Sequence, residues 1–293
     1  MFIRRLPKFD YHAPASLPEA LDLMAKHGSA ARFIAGGTDL LLAMKKREIG
    51  PGHLVSLAAI PSLKGIDLSG ETIRIGAMTT LAEIERSPVV KKHLLPLADA
   101  VDVMASAQIR SLATVGGNLC SGVPSADTAP PIMALGASLT LVGRAGERAV
   151  PVEDFFTGPK TTAAKPDEIL TSISIPKPGP LSTGCYLKLM RRHAMDLALV
   201  GVAACLTLDK DKVCKKARIA LGAVAPTPIR VPEIESLLSG KRLDEPVVGE
   251  AARIAGMQCR PITDIRASLE YRCSMVEVLL KRALMEAHKR IAA

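Results

Sequence analysis

Two glycine pairs are the residues of this sequence whose types and spacing best suit chemistry, because adjacent glycines let backbone amides approach a phosphate without an intervening Cβ. The pairs lie roughly 80 residues apart. A helix that follows the first pair would add the partial positive charge of its N-terminus, and Thr38 offers a hydroxyl donor. Neither pair fits the Rossmann or the P-loop fingerprint. The two runs are Phe33-Ile34-Ala35-Gly36-Gly37-Thr38-Asp39-Leu40 and Thr114-Val115-Gly116-Gly117-Asn118.

Each glycine pair also has a purely structural interpretation. The first run fits a tight turn from strand to helix with Asp39 as the helix cap, and the second run fits a plain turn. Two such loops in one chain nevertheless favour two clamps on one elongated phosphorylated ligand. Asp127, in the run Ser125-Ala126-Asp127 after the second loop, suits the hydroxyls of a ribose or ribityl chain.

Other kinds of chemistry find little support in the residue patterns. The six histidines show no HxxxH spacing and no nucleophile partner, so we interpret them as structural or surface residues. The six cysteines form no CxxC pair, which predicts reduced, buried thiols and no metal or iron–sulfur cluster on this chain. No GxSxG elbow supports a hydrolase. We therefore predict neither a metal ligand nor a catalytic acid or base here.

The composition bounds the class of protein. The chain has 293 residues, 48% of them hydrophobic, and no tryptophan, which predicts one or two domains with aliphatic cores. The net charge of +9 comes without a dense basic stripe, and aromatic residues are scarce, so nucleic-acid binding is not expected. No run approaches the roughly 18 apolar residues of a membrane span, and no signal peptide is apparent. We expect a cytoplasmic protein.

The elements that must position the two loops can be outlined from periodicity. Ser16 begins a helix that ends at Gly28, with Glu19 completing a capping box. The Gly- and Ser-rich stretch 114–131 shows little regular periodicity. Residues 176–184 concentrate proline and glycine and mark the candidate domain boundary. The predicted strands are 32–35, 53–56, 72–75, 138–142, 169–175, 186–190, 197–208 and 212–221, and the predicted helices 40–46, 81–86, 95–105, 232–238, 246–258 and 268–288.

Four runs in order resemble the FAD-binding medium subunit of the xanthine dehydrogenase and carbon monoxide dehydrogenase family, the molybdenum hydroxylases. They are AGGTDLL, QIRSLATVGGNLCSGVPSADTAPP, YLKLMRRHAMDLALVGVAA and DIRASLEYRCSMVEVLLKRAL. The resemblance extends from about residue 1 to 285. It implies an α+β fold: a PCMH-type FAD-binding domain over 1–178, with two α/β subdomains of about 1–55 and 56–178, and a C-terminal domain over 179–288 with an antiparallel sheet and helices.

The resemblance also implies the residues that meet the cofactor. In the family, both glycine loops cradle the FAD pyrophosphate with backbone donors, which assigns that role to 33–40 and 114–118. Asp127 matches the family's aspartate. Ala105 lies where the chain passes the cofactor, Leu170 matches an apolar residue near the flavin, and Lys188 matches a lysine beside the isoalloxazine. A cation there would favour the reduced flavin; without the resemblance, Lys188 is interpreted as a solvated strand lysine.

The function implied is electron transfer within a larger enzyme. Two [2Fe–2S] clusters on a small ferredoxin-like subunit and the molybdenum cofactor on a large molybdopterin subunit would complete a dimer of heterotrimers. FAD on this chain would pass electrons to NAD⁺, a quinone or ferredoxin. Two other functions stay open at this point, namely an autonomous FAD-dependent oxidase and a scaffold subunit that has lost its cofactor.

Overall fold

The computed structural model describes residues 5–192 and 194–292 of the chain. The strands are β1 (Asp10–His12), β2 (Ala31–Ile34), β3 (His53–Ser56), β4 (Ile66–Ser69), β5 (Thr72–Gly76), β6 (Ser138–Gly143), β7 (Gly146–Pro151), β8 (Phe156–Gly158), β9 (Thr161–Thr162), β10 (Ile169–Pro176), β11 (Ser182–Leu189), β12 (Val200–Leu208), β13 (Cys214–Gly222) and β14 (Ile229–Arg230). The helices are α1 (Leu17–His27), α2 (Leu40–Lys46), α3 (Leu81–Arg86), α4 (Pro88–His93), α5 (Leu95–Asp102), α6 (Ala107–Arg110), α7 (Val115–Cys120), α8 (Ala129–Ala134), α9 (Pro232–Leu238), α10 (Glu245–Gln258) and α11 (Leu269–Ala292).

A small parallel sheet of order β1-β3-β2 carries the first glycine loop. Its side chains alternate between two faces. Ala31, Phe33 and Val55 pack with the buried face of α1, whereas Ile34 and Leu54 pack with α2 on the other side. The helix α1 begins as predicted, with the Ser16 hydroxyl accepting from the Glu19 amide at 3.4 Å. The Glu19 carboxylate, however, accepts from the amide of Ala15, so the predicted capping box is incomplete.

A five-stranded antiparallel sheet, β4-β5-β10-β6-β7, holds the largest core. The helices α3, α5, α7 and α8 cover it with aliphatic side chains such as Leu81, Leu97 and Ile132. The stretch 114–131, predicted to be irregular, instead contains α7 and the beginning of α8. Periodicity did not reveal either helix, because each is only six residues long and contains glycines or prolines.

The C-terminal part is a four-stranded antiparallel sheet of order β11-β12-β13-β14 against α9, α10 and α11. Val202, Ile219 and Leu280 lie at the centre of its core. The predicted α+β class with an antiparallel C-terminal sheet is therefore confirmed. This sheet begins after the predicted boundary at 178, but the division into independent domains stays a prediction. None of the helices in the described ranges combines the length and apolar character needed to cross a membrane.

Candidate functional site

The first glycine loop leaves a row of backbone amides free. It joins the end of β2 to the first turn of α2, and Gly37 turns the chain with a φ of +73°. Within the described residues, no protein acceptor receives the amides of Gly36, Gly37, Thr38 or Asp39. Successive amides around a left-handed residue form a concave anion site. Asp39 stands at the N-cap position of α2, as the structural interpretation expects, but its side chain makes no capping hydrogen bond.

The second glycine loop has its amides already engaged. Gly117 donates to the Thr114 hydroxyl at 3.1 Å, and Gly116 donates to the Ala77 carbonyl at 2.9 Å. Val115 and Asn118 also donate, to the carbonyls of Thr79 and Thr114. The expected role of these amides as phosphate donors does not fit this geometry, since each already has an acceptor. This loop instead offers a closely packed backbone surface and the Asn118 carboxamide.

The two loops lie directly against each other. A Cβ added to Gly36 would lie 1.9 Å from the Leu112 carbonyl oxygen, just ahead of the second loop. A Cβ added to Gly117 would lie 3.6 Å from the Cβ of Ala35. Close backbone approach therefore requires glycine at position 36, whereas the contact beside Gly117 is an ordinary van der Waals distance. The structure thus brings together the two loops that the sequence placed roughly 80 residues apart.

Asp127 and Lys188 meet in a buried cluster with Tyr186. The Lys188 ammonium lies 2.9 Å from Asp127 Oδ2, and the Tyr186 hydroxyl donates to Asp127 Oδ1 at 3.0 Å. Only 1% of the Lys188 side chain and 7% of the Asp127 side chain are exposed. Burial raises the pKa of Asp127, and both of its partners oppose that shift. Burial and the neighbouring carboxylate raise the pKa of Tyr186 well above its usual value.

Ala105 lies in a strained turn, and the carbonyls of residues 103–105 each lie close to a donor from another part of the protein. Its φ is +53°, which is uncommon for a residue with a Cβ. Lys188 Nζ lies 3.5 Å from the Val103 carbonyl oxygen, and Arg110 donates to the Met104 carbonyl at 2.9 Å. The amide of Met195 donates to the Ala105 carbonyl at 3.4 Å. Strained turns that are fixed from several sides are typical of binding sites.

The remaining predicted residues have side chains that pack in the cores beneath the loops. Leu170 is buried in β10. The carbonyl of the next residue, Thr171, accepts from the amide of Ala77, and the carbonyl of Ala77 in turn accepts from the amide of Gly116. Phe33, Ile34 and Leu40 direct their side chains into the cores around the small sheet. These side chains position the loops, so any ligand contact from them would come through the backbone.

Asn118 connects the second loop to the segment that carries Asp127. Its side-chain oxygen accepts from the Thr128 hydroxyl at 2.6 Å. Two contacts therefore fix the position of Asp127. Its neighbour Thr128 is bound to Asn118, and its own carboxylate is bound to Lys188 of β11. Sequence reasoning did not select Tyr186 as a site residue, although it lies two positions before Lys188 and so on the same face of the strand.

The last of the four sequence runs is structural. Asp264 accepts from the guanidinium groups of Arg266 and Arg272 at 2.6 and 3.0 Å. Arg272 is 2% exposed and also donates to the carbonyl of Leu199 at 2.7 Å. These contacts attach the start of α11 to the entrance of β12. The two arginines hold the pKa of Asp264 well below its usual range.

The chain is similar to known proteins over nearly its whole length. The model of the FAD binding domain in molybdopterin dehydrogenase matches residues 7–178, and the model of the CO dehydrogenase flavoprotein C-terminal domain matches residues 185–287. The carbon monoxide dehydrogenase medium chain of Hydrogenophaga pseudoflava is 37% identical, with 98% of this chain and 99% of that chain covered. The xanthine dehydrogenase FAD-binding subunit of Escherichia coli O157:H7 is 33% identical, with 94% and 95% covered.

The fold of the chain is also similar to solved structures of oxidoreductases. A structure of carbon monoxide dehydrogenase from Hydrogenophaga pseudoflava, which lacks the Mo-pyranopterin moiety of its cofactor, matches with a TM-score of 0.95 and 36% identity, covering 98% of this chain and 99% of that one. Quinoline 2-oxidoreductase from Pseudomonas putida 86 matches with a TM-score of 0.92 and 31% identity, covering 99% and 100%. The chain therefore belongs to the family of FAD-binding medium subunits of the xanthine dehydrogenase and carbon monoxide dehydrogenase type, which are oxidoreductase components of molybdenum hydroxylases.

Proposed function

We propose that this chain is the electron-transferring subunit of a molybdenum-dependent hydroxylase complex. In this proposal, a small subunit with [2Fe–2S] clusters supplies the electrons, a large molybdopterin subunit holds the substrate, and an acceptor such as NAD⁺, a quinone or ferredoxin removes the electrons. We further propose a cytoplasmic dimer of heterotrimers. When bound, FAD supplies the exchange between one-electron and two-electron transfer that such a subunit needs.

The free amides of the first glycine loop carry this proposal. A pyrophosphate presents anionic oxygens that accept hydrogen bonds, and the amides of residues 36–39 have no acceptor in the described part of the protein. Thr38 adds a hydroxyl at the same place. Because Gly36 allows the first loop to pack against the backbone just ahead of the second loop, the protein itself supports the conformation of this loop. The residues present therefore fit a dinucleotide of the FAD type, and the first loop would hold its pyrophosphate.

The cluster around Asp127 has a second role in this proposal. The family resemblance assigns Lys188 to the flavin ring, and Asp127 suits the hydroxyls of a ribose or ribityl chain. Both carboxylate oxygens of Asp127 already have donors, and the Lys188 ammonium is neutralised by that carboxylate. We propose that the pair acts as one unit, which fixes the turn at Ala105 and sets the local charge. An ion pair would shift the flavin potential less than an isolated lysine.

Purification of the native complex through a tag on this chain tests the proposal. We expect two further polypeptides, a flavin spectrum, and iron and molybdenum in the metal analysis. The mass of the assembly, measured in solution, tests the dimer of heterotrimers. Flavin on a single, metal-free chain would favour the autonomous oxidase, and a complex without flavin would favour the scaffold.

The same purification can be repeated with a variant of the first loop. Thr38→Val keeps the shape of the side chain and removes its hydroxyl donor. We expect a lower FAD content in the variant complex, with both partner subunits still present. Thr72→Val, at an exposed position of β5, is the matched control and should keep full FAD content. If neither change altered the flavin content, the placement of the pyrophosphate at the first loop would be wrong.

A further inference from the structure

Three histidines that lie far apart in the sequence converge beside the small parallel sheet. His12 ends β1, His53 begins β3, and His27 ends α1. The register pairs His12 with Val55 and His53 with Ala31, which places His12 and His53 on the face that α1 covers. The end of α1 then brings His27 against both rings. The spacing of these histidines in the sequence did not predict this convergence, and their interpretation as structural or surface residues stays a prediction.

The ring nitrogens are close enough to share one ion. One nitrogen from each histidine lies within 4.8 Å of the other two. His12 Nε2 and His53 Nδ1 are 3.2 Å apart, and the rings of His27 and His53 stack with centroids 3.7 Å apart. A tetrahedral zinc ion bound at about 2.0–2.1 Å would place its ligand nitrogens about 3.3 Å apart. Because an imidazole nitrogen binds a metal in the plane of its ring, the stacked His27 and His53 rings must rotate for the three nitrogens to converge on one ion.

One ring nitrogen of the cluster has no hydrogen-bond partner in the described part of the protein. His27 Nε2 is buried and has no hydrogen-bond partner among the described residues. A buried polar atom without a partner is rare and calls for an explanation such as an unseen water or ion. All three residues are half-buried, so an ion can reach them from solvent.

A carboxylate stands next to the histidines. Asp10 Oδ2 lies 3.5 Å from His53 Nδ1. Asp10 thus faces the same nitrogen of His53 that faces His12 Nε2, so its carboxylate stands where a fourth ligand of the ion would lie. Lys26, next to His27, is the main opposing charge on α1. Three imidazoles with one carboxylate match the preference of Zn²⁺, and also of Cu²⁺ and Ni²⁺, and do not match Ca²⁺ or Mg²⁺.

We propose that His12, His27 and His53 form a binding site for a divalent transition metal ion of the zinc type. The ion would connect the end of α1 to the first and third strands of the chain. The site is separate from the first glycine loop, because His53 pairs with the first residue of β2 whereas Gly36 follows its last residue. A metal here would therefore stabilise the fold and leave the proposed electron transfer unaffected.

Calorimetric titration of the chelator-treated full-length chain with Zn²⁺ tests the proposal. We expect one ion per chain and a higher melting temperature with Zn²⁺ than without it. His27→Gln and His53→Gln should each weaken binding by about 100-fold or more, since even outer contacts of a metal site are worth about 10–100-fold. His93→Gln is the matched control, because His93 ends the helix α4 as His27 ends α1 and lies outside the cluster. It should bind Zn²⁺ like the unchanged chain.

Titration with Co²⁺ identifies the ligands. Visible bands of a low-symmetry cobalt site without a thiolate charge-transfer band would support three imidazoles, and the bands should disappear in His27→Gln. A thiolate band would show that cysteines hold the ion and would overturn the proposal. Absence of binding to the unchanged chain, or equal binding by His27→Gln and His53→Gln when both are folded by circular dichroism, would overturn it as well.

Discussion

The ammonium of Lys188 and the carboxylate of Asp127 form an ion pair of 2.9 Å that is almost completely buried. The two residues come from different parts of the fold: Lys188 from β11 of the C-terminal sheet, and Asp127 from the loop before α8. Tyr186 occupies the other carboxylate oxygen. Both oxygens of this carboxylate are thus bound from one strand, which connects the C-terminal sheet to the segment behind the second glycine loop.

Replacement of Lys188 by methionine should be strongly destabilising. Methionine fills a similar volume but leaves the Asp127 charge buried without its cation, and breaking a buried pair in this way costs about 3–5 kcal/mol. We expect the free energy of unfolding of Lys188→Met to fall by that amount at neutral pH, measured by urea denaturation. FAD content should fall too, because the Val103 carbonyl loses its contact with Lys188.

The double variant Lys188→Met with Asp127→Asn separates charge from packing. It removes both charges, and the carboxamide oxygen that replaces the carboxylate would still accept from Tyr186. We therefore expect it to regain a large part of the lost stability. If the single and double variants were equally unstable, the loss would come from packing, and the ion-pair interpretation would be wrong.

Short-range patterns predicted much of this protein, whereas long-range contacts were out of reach. The Ser16 cap of α1 and the apolar runs of α11 and β12 are local features, so the bounds of these three elements came out within four residues of the predicted ones. The cluster around Asp127 joins residues 59 and 61 positions apart, and the three histidines meet across 41 positions. No spacing rule connects residues that only the packing of separate elements brings together.

The glycine loops show the same limit in another form. The sequence predicted that both would present free amides, but the residues alone do not reveal which acceptors lie nearby. The carbonyls of Ala77 and Thr79 accept from amides of the second loop. Both residues lie far before that loop in the sequence. Of the two loops, the first keeps its amides free of acceptors from the described residues.

Gly36→Ala should disrupt the contact between the loops. Its added Cβ would lie 1.9 Å from the Leu112 carbonyl oxygen, so backbone must move. We expect a loss of about 3 kcal/mol in stability, by analogy with overpacked cores, together with loss of bound FAD. Gly249→Ala is the matched control, since its Cβ meets nothing within 4 Å and lies in the helix α10. It should gain up to about 1 kcal/mol. Normal flavin content in Gly36→Ala would contradict the proposed site.

The turn at Ala105 can be tested with two opposite substitutions. Ala105→Gly removes the Cβ that makes a φ of +53° unfavourable, but it also increases the freedom of the unfolded chain, so the two effects should cancel to within about 1 kcal/mol. Ala105→Val adds a β-branched side chain to a left-handed residue and should lower the free energy of unfolding by about 1–3 kcal/mol. Thermal melts of both variants check the order. Equal stability of the valine and glycine variants would show that the turn relaxes easily.

The ion pair between Arg148 and Glu168 predicts a specific dependence of stability on pH. Arg148 donates to both Glu168 oxygens, at 2.8 and 2.7 Å, and the Lys165 amide donates at 2.8 Å. These contacts lower the pKa of Glu168 to about 2 from an ordinary 4.5. Because the folded-state pKa is the lower one, the pair contributes stability that is fully present above about pH 4.5 and is lost as the pH falls toward 2.

Glu168→Gln should therefore be less stable than the unchanged chain at pH 7, and the difference should shrink as the pH approaches 2. Glu147→Gln is the matched control, because Glu147 is the exposed carboxylate next to Arg148 in β7 and has no ion-pair partner in the described ranges. Urea denaturation at pH 7, 4 and 3 measures both variants. A difference between Glu168→Gln and the unchanged chain that stayed constant over this range would show that the pair does not couple protonation to folding.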